Sequence, residues 1–284
     1  MTAVVPSKRF PRTSIATRRL LNGWFQLGQQ TEFYGQTVVN VGHALRSNYK
    51  EILRLIAQMS LGTGALAVIG GTVVVVGFLT MSTGALIAVQ GYNQLAGVGV
   101  EALTGFASAY VNVRIIAPVT AAIALAATIG AGATAQLGAM RINEEIDALE
   151  AMAVRAVAYL ASTRVIAGLI VVLPLYGIAI LMSFLAARFG TTMIYGQSTG
   201  VYDHYFRTFL RPADVMWSFV QAVTMAFVIM LIHTYYGFNA RGGPAGVGEA
   251  VGRAVRTSLI ASVFVIVGIA LAVYGQSGGF YLSG

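Results

Sequence analysis

Val165-Ile-Ala-Gly-Leu-Ile-Val-Val-Leu-Pro-Leu-Tyr-Gly-Ile-Ala-Ile-Leu-Met-Ser-Phe-Leu-Ala-Ala187 holds no Asp, Glu, Lys or Arg and almost no other polar side chain. At a rise of 1.5 Å per residue, about 20 apolar residues in a helix cross the hydrocarbon of a bilayer. Four more stretches without a charge flank it: Leu55–Val100, Ile115–Met140, Val215–Ala240 and Thr257–Gly284. One could be the central helix of a large soluble core; five together in 284 residues could not. Composition agrees, since 57% of the chain is apolar or aromatic and only 10% is charged, against roughly 25% charged in soluble domains. The expected fold is all-α, a polytopic membrane protein with five transmembrane helices.

The segments between the stretches set orientation. Eight of the 18 Lys and Arg lie at or before Arg54. With that end inside, inner segments hold 14 basic residues, and outer ones hold only Arg114, Arg188, Arg207 and Arg211. Basic residues accumulate on the cytoplasmic side, so the N-terminus is expected in the cytoplasm and the C-terminus outside. The net charge of +8 thus serves topology, and no recognition motif joins it to nucleic acid. Residues 1–19 lack the apolar core of a secretory signal and read as a disordered basic cytoplasmic tail. Residues 20–54 carry Leu20, Trp24, Leu27, Tyr34, Val38, Val41 and Leu45 at helical spacing, an amphipathic pattern suited to the interface plane. Residues 55–284 form the transmembrane domain. Its first span is placed at Gly64–Gly91, with Tyr92–Leu103 as a polar outer connection or re-entrant element. Pro118 and Pro174 should bend the second and third spans, and Gly130–Ala135 offers small residues for close helix packing.

Several chemistries lack their residues. The two lysines, Lys8 and Lys50, follow no glycine-rich loop, so the phosphate cradle of an ATPase is missing and energy from ATP would need another subunit. His43, His204 and His233 are far apart and fit no metal-ligand spacing; His233, inside the fourth span, reads as a hydrogen-bonded packing residue. No cofactor and no metal is expected on this chain. Gly196-Gln-Ser-Thr-Gly200 matches a nucleophile pentapeptide, with Asp203 and His204 close by. That motif works on a strand-to-helix turn of an α/β sheet, whereas here it falls in an outer loop, so a flexible loop is expected. A secondary transporter would need carboxylates in the membrane, and none of the five stretches contains one. A non-catalytic membrane scaffold remains open.

Between the second and third spans, on the inner side, lies Asn143-Glu-Glu-Ile-Asp-Ala-Leu-Glu-Ala-Met-Ala-Val154. Asn143 is a candidate N-cap, followed by acids that suit a helix N-terminus. Ile142, Ile146, Leu149 and Ala153 share one side. Either this is a solvated connector, or its apolar stripe docks on a soluble partner. The second inner loop, Arg241-Gly-Gly-Pro-Ala-Gly-Val-Gly-Glu249, gathers Gly242, Gly243, Gly246 and Gly248.

The run from Ala131 to Met152, Ala-Gly-Ala-Thr-Ala-Gln-Leu-Gly-Ala-Met-Arg-Ile-Asn-Glu-Glu-Ile-Asp-Ala-Leu-Glu-Ala-Met, resembles the signature of the MlaE/YrbE permeases. The glycine-rich loop after Gly237 resembles the same family, and the order of elements does so from Trp24 to Tyr274. The resemblance implies an N-terminal interfacial helix, five spans, and a coupling helix at Glu144, Glu145, Ile146, Asp147, Ala148, Leu149, Glu150 and Met152 that docks on a cytoplasmic ABC ATPase. ATP and Mg would sit on that partner. It also implies a permease pair in the plasma (inner) membrane around a cavity for lipid or fatty acid. MCE-domain proteins would stand on the outer face, as in mammalian-cell-entry systems, with import as the direction. Gln136 stands where the family has Glu, Thr128 where it often has Arg, and Ile115 where Glu commonly follows Arg114. Ala153 replaces a glycine, while Arg155, Ala156 and Thr163 occupy proline positions. These departures fit the more divergent half of a pair of unlike, paralogous permeases. The first, second and fifth spans are expected to line the cavity.

Overall fold

The computed structural model describes residues 25, 27–61 and 71–274. Among them there are helices and no strand. Three helices lead in: α1 (27–39), α2 (Val41–Ser47) and α3 (Tyr49–Leu61). Five helices are long and apolar enough to cross a membrane: α4 (Gly71–Ala96), α5 (Glu101–Ile142), α7 (Val157–Ile194), α9 (Pro212–Phe238) and α10 (Gly243–Val273). Two short helices connect them, α6 (Glu145–Ala151) after α5 and α8 (Thr199–Phe209) after α7. At 42 residues, α5 is about 63 Å long, so it rises well beyond a bilayer's hydrocarbon.

The bundle is built around α7, which packs along α4 and α9 and receives α3 on its flank. Leu55 and Met59 of α3, Leu125 and Ile129 of α5, Val171 and Leu175 of α7, and Met225 and Ile229 of α9 form one core. A second core nearer α8 joins Val76, Val113, Tyr176 and Ile180. Phe78, Leu86, Leu185, Phe264 and Leu271 are more than half exposed. Large apolar side chains left open all along the helices belong against lipid or another apolar surface.

The placement of the first two spans differs from expectation. Gly64–Gly70 lies outside the described residues. Tyr92–Ala96 is not a connection but the last turn of α4, and only residues 97–100 link it to α5. α5 begins at Glu101, so Arg114 stands inside a helix rather than in an outer loop. Its guanidinium is held by Asp214 at the start of α9 (2.8 Å) and lies over the Tyr110 ring (3.8 Å). With its charge paired and shielded, Arg114 does not end the helix, which runs on past the charge-free stretch. Pro118 follows a run of widened π-helical turns, Ser108–Ile116, which absorb the donor it lacks. Pro174 lies inside the unbroken helix Thr163–Phe189. The last span starts at Gly243, well before Thr257, and residues 275–284 fall outside the described residues.

His233 is fully buried. Its Nδ1 lies 2.7 Å from the Thr134 hydroxyl and its Nε2 lies 3.2 Å from that of Ser258. The ring occupies space that a Cβ at Gly130 would invade, at 2.7 Å. It joins α5, α9 and α10 as a hydrogen-bonded packing residue, and the small-residue patch supplies its seat.

Leu20 and Trp24 of the amphipathic segment lie outside the described residues. The rest is α1 and α2, joined through Asn40. Phe33, Thr37 and Ala44 are its buried residues. The Phe33 ring meets those of Tyr235 and Phe238 at 5.6 and 5.4 Å. Leu27, Val38 and Leu45 of the expected stripe stay open, beside Val39. α3 runs across the boundary expected between residues 54 and 55.

Candidate functional site: the connector at the α1 face

α6 sits at the end of the bundle that also carries α1, between the lower ends of α5 and α7. Its start differs from the sequence expectation. Asn143 closes α5, and Glu144 takes the N-cap position with φ +60°, without a side-chain cap bond. The left-handed residue turns the chain sharply, so α6 folds back on α5 instead of extending it. The Arg141 guanidinium pairs with Asp147 at 2.6 Å and ties the two helices across the turn.

The apolar side of α6 is not free. Ile146 is fully buried and Leu149 partly so, against Leu137, Met140, Ala156, Leu160 and Phe238 of the chain itself. The stripe expected to dock on a partner is therefore the anchor of α6 on its own bundle. Glu144, Glu145, Asp147, Ala148, Glu150, Ala151 and Met152 face outward, with Met152 66% exposed. An acidic rim around Ala148, Ala151 and the open Met152 is what the site can offer another protein. Its root is packed on side chains from the ends of α5, α7 and α9.

Ala153, just past α6, has φ +59°. A left-handed alanine costs about 1 kcal/mol that glycine avoids. Ala153→Gly is expected to raise the thermal stability of the purified chain by about 1 kcal/mol; a lower melting temperature would contradict the geometry.

The glycine-rich segment is mostly helix. Gly242 (φ +91°) and Gly243 (φ +69°) make the turn, while Gly246 and Gly248 already belong to α10. A Cβ on Gly246 would lie 1.8 Å from the Arg241 carbonyl oxygen, and one on Gly138 would lie 2.8 Å from the Val247 side chain. Gly138 thus lets α10 close on the end of α5, while Gly246 leaves room for the Arg241 carbonyl at the turn; a Cβ on Gly248 would touch nothing within 4 Å.

Ser198, Asp203 and His204 do not form a nucleophilic set. Gly196, Gln197 and Ser198 lie in the link between α7 and α8, and Thr199 and Gly200 open α8. Both carboxylate oxygens of Asp203 accept from Arg188, at 2.8 and 2.9 Å. Those bonds hold its carboxyl below the usual range, and His204 turns instead toward the Tyr205 ring.

Besides an apolar cavity of about 410 Å3 between α4 and α7, two more open on the flanks. One of about 290 Å3 lies among α3, α4 and α5 and includes Gln58, Thr128 and Gln136. The other, about 310 Å3, is apolar and lies between α4 and α5 beside Leu86, Ile87 and Val111.

Residues 61–272 match the family described as Permease MlaE. A probable ABC transporter permease protein of Rickettsia felis is 30% identical over 246 residues, 85% of this chain and 93% of that protein. One from Synechocystis is 26% identical over 248 residues, 86% and 90% of the two chains. Protein trigalactosyldiacylglycerol 1 of Arabidopsis thaliana chloroplasts is 26% identical over 172 residues, 61% of this chain and 49% of that one.

Proposed function

The chain belongs to the MlaE permease family, and from that premise we propose that it is the membrane half of an ATP-driven lipid transporter. In this reading α6 is the coupling helix, docked on a cytoplasmic ATPase that closes on ATP. The observation that carries the proposal is the build of α6: Ile146 rooted in the bundle, an acidic rim and Met152 turned outward. A rigid, surface-borne helix converts movement of a partner into movement of α5 and α7, which a solvated connector does not. The face that carries α1 is then cytoplasmic, in keeping with its basic residues, and the opposite face with α8 meets MCE-domain proteins.

Lipid is the cargo that suits the walls. The cavity between α4 and α5 is apolar, and a relative bears the name of a galactolipid. α10 leaves Ile260, Val263, Phe264, Val267 and Leu271 open along one side. This stripe faces either lipid or the second permease, whose surface would complete the transport cavity. The pairing we propose is with an unlike, paralogous chain, and the direction is import. Affinity purification of the tagged chain from its native membrane, followed by mass spectrometry, tests the ATPase partner, the pairing and the cargo. It should recover an ABC ATPase, a different permease and bound lipid or fatty acid. Recovery of a stable homodimer that stimulates the ATPase would overturn the unlike pairing. Absence of any ATPase would overturn the function.

A further inference from the structure

A polar pocket of about 410 Å3 lies at the α1 face, walled by α1, the inner end of α9 and the start of α10. Arg241 and Arg253 supply its charge; Tyr235, Tyr236, Asn239 and Gln30 supply neutral donors and acceptors. Its size falls in the range of about 300–1,000 Å3 usual for small-molecule sites. No carboxylate lines it. Arg241 has no ion-pair partner among the described residues. Arg253 has only Glu249, at 3.6 Å, with both side chains at least half exposed. Two arginines lining one concavity together with tyrosine, asparagine and glutamine side chains offer the donors that the oxygens of a phosphate ester accept from.

We propose that this pocket binds the phosphate of an anionic amphiphile, a phospholipid headgroup drawn from the adjoining leaflet. The shared chemistry is a phosphate anion. The lipid source is favoured by α1, which contributes Gln30 to the wall and leaves Leu27, Val38 and Val39 open for acyl chains. Arg241 of the pocket directly precedes Gly242 and Gly243, the turn into α10. A bound headgroup would therefore fasten α1, α9 and α10 together next to α6. The site is separate from the apolar cavity between α4 and α5. Only the choice of leaflet rests on the cytoplasmic reading of this face; binding does not.

The test uses the full chain, delipidated in detergent, with melting temperature as the readout. Short-chain phosphatidylglycerol, short-chain phosphatidylcholine and inorganic phosphate are titrated separately. The wild-type chain should be stabilised by phosphatidylglycerol at least tenfold more potently than by phosphatidylcholine. Arg241→Gln with Arg253→Gln should abolish that preference. Arg256→Gln, on the same helix but outside the pocket, should keep it. Inorganic phosphate competing with the lipid would place the anion in the pocket, and no stabilisation by phosphate alone would assign the acyl chains a share. An unchanged preference in the double variant, or none in the wild type, overturns the proposal. Since no ATPase is present, failure here leaves the coupling reading untouched, and a failed co-purification leaves this one untouched.

Discussion

Replacing Ala148 and Met152 together by arginine is expected to lower ATP-dependent lipid transport by at least about tenfold in the reconstituted complex. Both side chains are exposed on α6, so the substitutions should leave the melting temperature of the chain within the small range of surface changes. Their effect falls on the docked surface. Two bulky cations would stand where a small residue and a flexible thioether let a partner approach. A central interface position of this kind is worth about 2 kcal/mol or more, and each 1.4 kcal/mol is tenfold in affinity. Binding of the ATPase, measured with purified subunits, should weaken in parallel. Glu249→Gln, on the same end of the molecule, should do little. Ile146→Asp is a poorer probe, because that side chain is fully buried. It would uproot α6 whether or not any partner exists, since an unpaired buried carboxylate is costly in any packed core.

Gly84→Ala should destabilise the bundle by about 3 kcal/mol, read as a lower melting temperature of the purified chain. The new Cβ would fall 2.2 Å from the Ser183 carbonyl oxygen and 2.8 Å from its Cα. Both are backbone atoms, so no rotamer change relieves the clash, and α4 and α7 must separate. The same substitution at Gly77, two turns away on α4, meets only the Met182 side chain at 3.8 Å. Gly77→Ala should be neutral or slightly stabilising. Equal losses at the two positions would mean that α4 and α7 do not cross as described.

The five spans were legible because apolar side chains and missing charges report directly on what surrounds a helix. Their ends were not, for a reason visible at Arg114 and Arg164. A charge ends a span only when it must reach water. Arg114 has Asp214, and Arg164 is 3% exposed with one nitrogen on the Leu160 carbonyl at 3.0 Å. Sequence spacing reveals neither the burial of Arg164 nor a partner for Arg114 a hundred residues away. The segment 143–154 was legible as a short amphipathic helix at the correct place in the chain. Which body would cover its apolar side was not, because periodicity says that Ile146 and Leu149 point the same way and nothing about what they meet. The left-handed turn at Glu144 decides that, and no glycine announced it. The two glycine-rich signals fared differently. Gly242 and Gly243 do turn the chain, while Gly246, already helical, leaves room for the Arg241 carbonyl of that turn, a use that composition alone cannot separate from a loop.

The natural chain has no cysteine, so a single engineered thiol can report on α6 without background. Met152→Cys should react with a membrane-impermeant maleimide in inside-out vesicles and stay unreactive in intact cells stripped of their outer layers. Adding the ATPase subunit should shield it. Labelling from the external side, or labelling in inverted vesicles that the ATPase leaves unchanged, would contradict the coupling role of α6.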